Sequence, residues 1–326
     1  MTGGSSKEVN YTIRPRKQTE RRIIVDILHF LENKMNIPIR DMRYSGMGAV
    51  YFYDFVMLHK QLNIKKMTSI EADDETYPRC DFNKPFDFID LRHLMSTDYL
   101  KGEVDWENER HLIWLDYDGV LSHSMLCDLM VIDQNAAQFD ICVITIEAKT
   151  PQKRTSKKQP DMRRDFQNAF SEFYPIGKKI TDKDFPSILQ SILLKCLTKG
   201  VREIRSDIMG KIELRKLFSF SYADGARMYS LGVIFLNDDN SILGKFDAAE
   251  KDHEFISSDI NWIDRIIIPN LTIKERMDLD ENIDSLRCSG DCCELMSERN
   301  INLDRSEIEG YMKYYRFIPQ YYEGYL

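Results

Sequence analysis

Three groups of residues could do chemistry. Gly46 and Gly48 stand in Arg43-Tyr-Ser-Gly-Met-Gly-Ala-Val-Tyr-Phe-Tyr-Asp-Phe55, after a short hydrophobic lead-in and before an apolar helical run. Glycines there let a backbone turn sharply and pass close to a ligand. The helix that follows turns its free N–H groups toward that loop. Glu71 ends the apolar stretch Lys66-Met-Thr-Ser-Ile70, 23 residues beyond Gly48. A nucleotide-binding βαβ unit expects an acid about 20 residues on, where it accepts from ribose hydroxyls. Asp116-Tyr-Asp118 closes the apolar run from His111. Carboxylates at a strand's carboxyl end lie where open α/β sheets bind their ligands.

Two further groups compete for the chemistry. Glu147-Ala-Lys149 ends another apolar strand, with Asp116 and Asp140 upstream. An acid followed by Glu-x-Lys is the pattern of Mg²⁺-dependent nucleases, with carboxylates on the metal and the lysine beside the attacking water. Cys288, Cys292 and Cys293 cluster, but no CxxC pair or flanking histidine completes a zinc pattern. No metal site is expected. Cys80, Cys127, Cys142 and Cys196 are far apart and read as small buried hydrophobes.

The elements that must hold these residues follow from periodicity. Pro15 opens a helix whose Ile23, Ile24, Ile27, Leu28, Leu31 and Met35 recur at helical spacing. Strands are expected at Met42–Ser45, Lys66–Ile70, Phe86–Leu91, His111–Asp116 and Phe139–Ile146, with a helix over Val50–Leu62 and another from a Ser122 cap to Val131. Residues 74–86 read as irregular or one helical turn and Asp98–Gly102 as a connector. Asp224-Gly225 between Leu217–Ala223 and Met228–Leu236 signals a hairpin. Strands alternating with helices imply an α/β fold, a doubly wound and mostly parallel sheet with a terminal antiparallel hairpin. Helical patterns at Phe166–Phe173 and Ile188–Leu197 make residues 150–216 a helical insertion. Residues 1–13 read as a tail, 14–240 as a Rossmann-like domain carrying that insertion, and 241–326 as an acidic extension. Its tyrosine-rich stretch 311–322 is expected to pack back on the body.

Composition sets the class. With 43% hydrophobic and 30% charged residues the chain is globular rather than disordered. No apolar run approaches the roughly 18 residues that span a bilayer, and a cytoplasmic location is the expectation. The net charge of −8 is uneven: residues 151–217 carry about +8 and the remainder to 326 about −10. The basic part, 153–164 above all, could face a nucleic acid, and the extension a protein partner.

Glycines after the first strand, an acid after the second, Asp-Tyr-Asp after the fourth and a closing hairpin together resemble a class I S-adenosylmethionine-dependent methyltransferase, over residues 14–150 and 217–236. More narrowly, Gly46-Met-Gly48 with Tyr51-Phe-Tyr-Asp-Phe55, Ile70-Glu-Ala-Asp73 and Leu115-Asp-Tyr-Asp118 is similar to bacterial proteins described as O-methyltransferases. The resemblance implies S-adenosylmethionine as cofactor and O-methylation of an acceptor it does not identify. It further implies that Gly46 and Gly48 pass the methionine part, that Glu71 holds the ribose, that Asp98 sits near the adenine, and that Asp116 and Asp118 face the methyl group. The family usually has an acid two residues before its first glycine. Tyr44 stands there, so Asp54 or Asp116 would have to take the methionine amino group. The rival readings are the nuclease on Asp116, Glu147 and Lys149, and a non-catalytic Rossmann-like module that binds a nucleotide-like molecule or a protein.

Overall fold

The computed structural model describes residues 14–153, 161–199, 212–288, 301 and 303–320. The chain begins with helix α1, Pro15–Met35, started by its proline and ended by Asn36 in the left-handed conformation. Four strand–helix units and a fifth strand follow. They are β1 Arg43–Gly46 with α2 Tyr53–Leu62, β2 Lys66–Ile70 with α3 Tyr77–Asn83, β3 Ile89–Arg92 with α4 Ser96–Gly102, β4 His111–Val120 with α5 His123–Asn135, and β5 Ile141–Glu147. Helices α6 Met162–Ala169 and α7 Phe185–Leu197 precede the long hairpin β6 Ile212–Asp224 and β7 Ala226–Asn237, which turns at Gly225. The rest comprises α8 Asn240–Asp252, the two-residue β8 Asp264–Arg265, α9 Ile273–Glu281, α10 Ile283–Cys288 and α11 Arg305–Tyr314.

All eight strands share one sheet in the order β3-β2-β1-β4-β5-β7-β6-β8. β1 to β5 are parallel, and β7 runs antiparallel to both β5 and β6. Alternation along β4 shows why both faces are covered. Leu112 and Trp114 join the apolar layer beneath α1 and α2, while Ile113 and Leu115 join the layer beneath α4, α5 and α7. This is the doubly wound α/β fold that the alternation of strands and helices predicts.

Several boundaries differ from expectation. The connector at Asp98–Gly102 belongs to helix α4, and the helical turn allowed within 74–86 is the seven-residue α3. β4 runs on through Asp116-Tyr-Asp-Gly119 to Val120, with an irregular register after Asp116. β6 starts at Ile212, inside the stretch read as insertion. The acidic extension is not separate: β8 pairs parallel to β6, and Tyr311, Tyr314 and Phe317 are buried in the layer under α1. Of the expected tyrosine stretch, residues 321 and 322 lie outside the described residues.

Gly310 marks how closely α11 approaches the body. A Cβ there would sit 2.4 Å from the Ile267 carbonyl oxygen. Gly→Ala inside a helix ordinarily stabilises by up to about 1 kcal/mol. Here the added methyl must displace backbone, so Gly310→Ala is expected to lower stability by roughly 1–3 kcal/mol, read as a fall in melting temperature by circular dichroism.

Candidate active site

The carboxyl ends of β1, β2, β3 and β4 meet the start of α2 and the first turns of α1 around one cavity of about 330 Å³. Sites for small ligands run from roughly 300 to 1,000 Å³. Gly48, Glu71, Asp116 and Asp118 line it together, as do Arg21, Asp54 and Tyr117.

The glycines serve packing more than backbone freedom. Neither has a positive φ. The left-handed residues of the loop are Ala49 (φ 45°) and Phe52 (φ 47°). A Cβ on Gly46 would lie 2.4 Å from the Tyr44 hydroxyl, and one on Gly48 would meet the Phe52 ring at 2.7 Å and Ser69 Oγ at 2.8 Å. The Gly48 N–H donates to that same Ser69 oxygen (3.2 Å). Gly46 itself is not among the lining residues. Tyr44 is a core residue, edge-on to Phe55 at 4.7 Å, and its ring takes up the room an acid's side chain would leave.

On the β2 and β3 side, Glu71 Oε1 accepts from the Asp73 N–H (2.9 Å). Cys80 lies behind Glu71, and burial first, then that carboxylate, push its thiol up to about 12. Ile70, Leu94 and Met95 supply an apolar wall beside Ser96. Fully buried Asp128, on α5, accepts from the Ser96, Thr97 and Tyr117 hydroxyls and so fixes the loop after β3 to the end of β4. Burial, and then Asp128, hold the Tyr117 phenol well above its ordinary value. Asp98, expected near the adenine, is exposed on α4 and does not line the cavity. Its helix turns it outward, and the loop at 94–96 occupies the place instead.

The opposite end is ionic. Arg21 donates through Nε and Nη2 to Asp54 and through Nη2 to Asp116 Oδ2 (3.2 Å). Lys17 Nζ is 2.7 Å from the same Asp116 oxygen. Burial would raise the Asp116 carboxyl, but Lys17 and Arg21 outweigh it and hold it below the usual carboxylate value. Asp116 is therefore a poor proton acceptor. Its Oδ1 is buried without a hydrogen-bond partner. Glu20, one residue before Arg21, is fully buried and pushed up to about 7, by burial first and with Asp116 adding to it.

Of the residues of the nuclease reading, Asp140 does not join Glu147 and Lys149. Asp140 sits at the start of β5, where its carboxylate accepts from the backbone N–H groups of His111 and Ala137, both at 2.7 Å. Glu147 ends the same strand. Of the expected buried thiols, Cys80, Cys142 and Cys196 are buried and Cys127 is exposed. Cys292, Cys293 and the Cys288 side chain lie outside the described residues, as does most of the basic stretch at 153–164. Periodicity missed Arg21, Glu20 and Asp128. A signal existed for the first two: Lys17 and Glu20 to Arg21 continue the buried face of α1, and charges at core positions need partners.

A doubly wound sheet with a reversed seventh strand, a glycine loop, an acid after β2 and Asp-Tyr-Asp at the end of β4 around one cavity defines a class I S-adenosylmethionine-dependent methyltransferase. Residues 9–326 match the family described as "Putative O-methyltransferase", and the chain belongs to that family. Among solved structures it is similar to Trm1 from Pyrococcus horikoshii in complex with S-adenosyl-L-methionine (12% identity, 71% of this chain and 58% of that one, TM-score 0.45). It is also similar to the N-methyltransferase NodS from Bradyrhizobium japonicum WM9 in complex with S-adenosyl-L-homocysteine (12% identity, 70% of this chain and 90% of that one, TM-score 0.39). A search of curated proteins finds no match. Among the described residues, no helix is long and apolar enough to cross a membrane.

The donor set fits the cofactor part by part. A carboxylate at the end of β2 suits ribose hydroxyls, apolar side chains suit a flat base, and mixed charges suit a zwitterionic amino acid.

The Glu20 carboxyl gives a pH prediction. Its value in the folded protein lies above the ordinary 4.5. Between pH 4.5 and 7 the unfolded chain therefore binds fewer protons than the native one, and Glu20 takes stability away as pH rises through that window. Glu20→Gln should match wild type near pH 5 and exceed it on the order of 3 kcal/mol at pH 8, measured by urea unfolding at both values.

Proposed function

We propose that this cavity holds S-adenosylmethionine and that the protein methylates a hydroxyl oxygen of its acceptor. The observation that carries the reading is the convergence of Gly48, Glu71 and Asp116, from three different strand ends, on one cavity. In this reading the loop Gly46–Phe52 passes the methionine part. Glu71 accepts the ribose hydroxyls, and Ile70, Leu94 and Met95 flank the adenine in place of Asp98. Asp54 and Asp116 take the role of the acid that Tyr44 does not supply and receive the ammonium, while the Arg21 guanidinium beside them attracts the carboxylate by its charge. Asp116 and Asp118 border the transferred group. The cofactor brings an activated methyl group, and the chain's own task is to hold the acceptor oxygen in line with it and to keep water out, so positioning contributes most. Buried free thiols suit a reducing, cytoplasmic compartment.

Three measurements test this. S-adenosylhomocysteine should raise the melting temperature, Mg²⁺ alone should not, and Lys149→Ala should leave both results unchanged. A Mg²⁺-dependent DNA cleavage lost in that variant would restore the nuclease. Glu71→Ala should weaken S-adenosylhomocysteine binding by roughly ten- to a hundred-fold, the loss of about 1.5–3 kcal/mol for a charge-assisted pair of hydrogen bonds. A change under about twofold makes Glu71 a solvated strand end. Gly48→Val is a poor probe, since its side chain collides with Phe52 and Ser69. Arg21→Lys is better. It keeps the charge but loses the fork to Asp54, and should weaken S-adenosylhomocysteine roughly tenfold while sparing methylthioadenosine, which lacks the amino-acid end.

A further inference from the structure

Methyl transfer to a hydroxyl releases a proton, and the cation-clamped Asp116 cannot keep it. Glu20 is a further carboxyl behind this end of the site: it does not line the cavity, but Asp116 acts on it as a like charge. It is fully buried, and neither of its oxygens meets a donor with bonding geometry. The groups that face it come from four elements. From α1 they are Lys17 and Arg21, which are engaged with Asp116 and Asp54. From β4 it is Asp116, a like charge. From β6 it is Tyr222, whose hydroxyl is itself buried without a partner. From β7 it is Ser230, whose hydroxyl is shared with Thr145 at 3.0 Å. Burial outweighs Ser230, Tyr222 and Lys17, which favour its charged form, Asp116 opposes them, and a proton is its cheapest partner.

We propose that Glu20 is the proton acceptor of the transfer, acting through Asp116, and that its ionisation is coupled to the charge in the cavity. The inference rests on the cofactor reading above. The step balances as follows. The acceptor oxygen bonds to the methyl carbon, and the carbon–sulfur bond breaks with its electron pair left on sulfur. The hydroxyl proton passes by way of the open Asp116 Oδ1 to the Glu20 carboxylate, which returns it to solvent after the products leave. A sulfonium in the cavity favours ionised Glu20. Once the thioether forms, that positive charge is gone and Glu20 binds a proton more tightly. The acceptor group thus strengthens as the proton is released. Glu20 does not touch the acceptor.

The test uses the full chain with S-adenosylmethionine and S-adenosylhomocysteine, which share every titrating group and differ in the sulfonium. Calorimetry between pH 6 and 8 should show their affinity ratio shifting toward S-adenosylmethionine by roughly four- to fifteen-fold, the range for unit charges about 10–20 Å apart in a partly screened interior. Proton release at pH 7 should accompany S-adenosylmethionine alone. In Glu20→Gln, checked for fold by circular dichroism, the ratio should be flat and the release absent, while Glu20→Asp should restore a pH-dependent ratio. A flat ratio in the wild type, or an unchanged slope in Glu20→Gln, overturns the proposal and leaves the cofactor reading standing. Failure of both ligands to bind the wild type overturns both.

Discussion

Arg21 joins three parts of the molecule that the chain keeps far apart. It stands on α1, it pairs with Asp54 at the start of α2, and it reaches Asp116 at the end of β4. Buried ion pairs add little net stability, because desolvation offsets their attraction, yet removing one partner costs roughly 3–5 kcal/mol. Their effect is to fix geometry. With Arg21 in place, the ends of β4 and α2 are held at one spacing, and that spacing sets the charged end of the cavity. The second half of α1 does the ordinary work of burial through Ile23, Ile24, Ile27, Leu28 and Leu31, all under 2% exposed. The first half buries Lys17, Glu20 and Arg21 over Asp116, Thr145, Ser230 and Tyr222. One helix thus carries an apolar segment that anchors it and a polar segment that closes the site.

The loop after β1 is fixed by a different means. Ala49 and Phe52 adopt left-handed conformations, each of which costs on the order of 1–3 kcal/mol in a non-glycine residue. The surroundings leave no alternative. Phe52 is fully buried against Phe55, Gly48 is pressed between Phe52 and Ser69, and its N–H is bonded to the Ser69 hydroxyl. A loop so constrained needs little ordering when a ligand arrives. The departure at Tyr44 belongs to the same packing. Its ring fills the space under Gly46, and the carboxylates at that end of the cavity come from α2 and β4.

What was legible in the sequence depended on range. Strands β1, β2, β4, β5 and the hairpin follow from local patterning, and Glu71 from its distance to Gly48, because each signal lies within about 25 residues and a fixed backbone repeat. Asp98 misled because a residue in the first turn of a helix points with the helix, and α4 itself had been read as a connector. Asp140 misled for a geometric reason. Seven residues of strand span roughly 23 Å, so Asp140 and Glu147 stand at opposite edges of the sheet although they are close in sequence. Arg21 and Asp116 are 95 residues apart in the chain. No periodicity reports such a pair, and only the charges on the buried face of α1 hinted at one.

These ranges divide the site into two halves with different origins. The cavity wall of Gly48, Ile70, Glu71, Leu94 and Met95 comes from consecutive strand–helix units, so its residues follow one another along the chain. The buried polar layer behind Asp116 comes from α1 and from the hairpin, brought together across β4 and β5 by the reversal at β7. Ser230 meets the Thr145 hydroxyl only because β7 lies antiparallel beside β5, with Thr145 opposite Ser230. The first part depends on short local motifs, whereas the second depends on α1 and the hairpin meeting across the sheet. The buried polar layer of Lys17, Glu20, Arg21, Tyr222 and Ser230 is thus the part of the structure least ordered by sequence spacing.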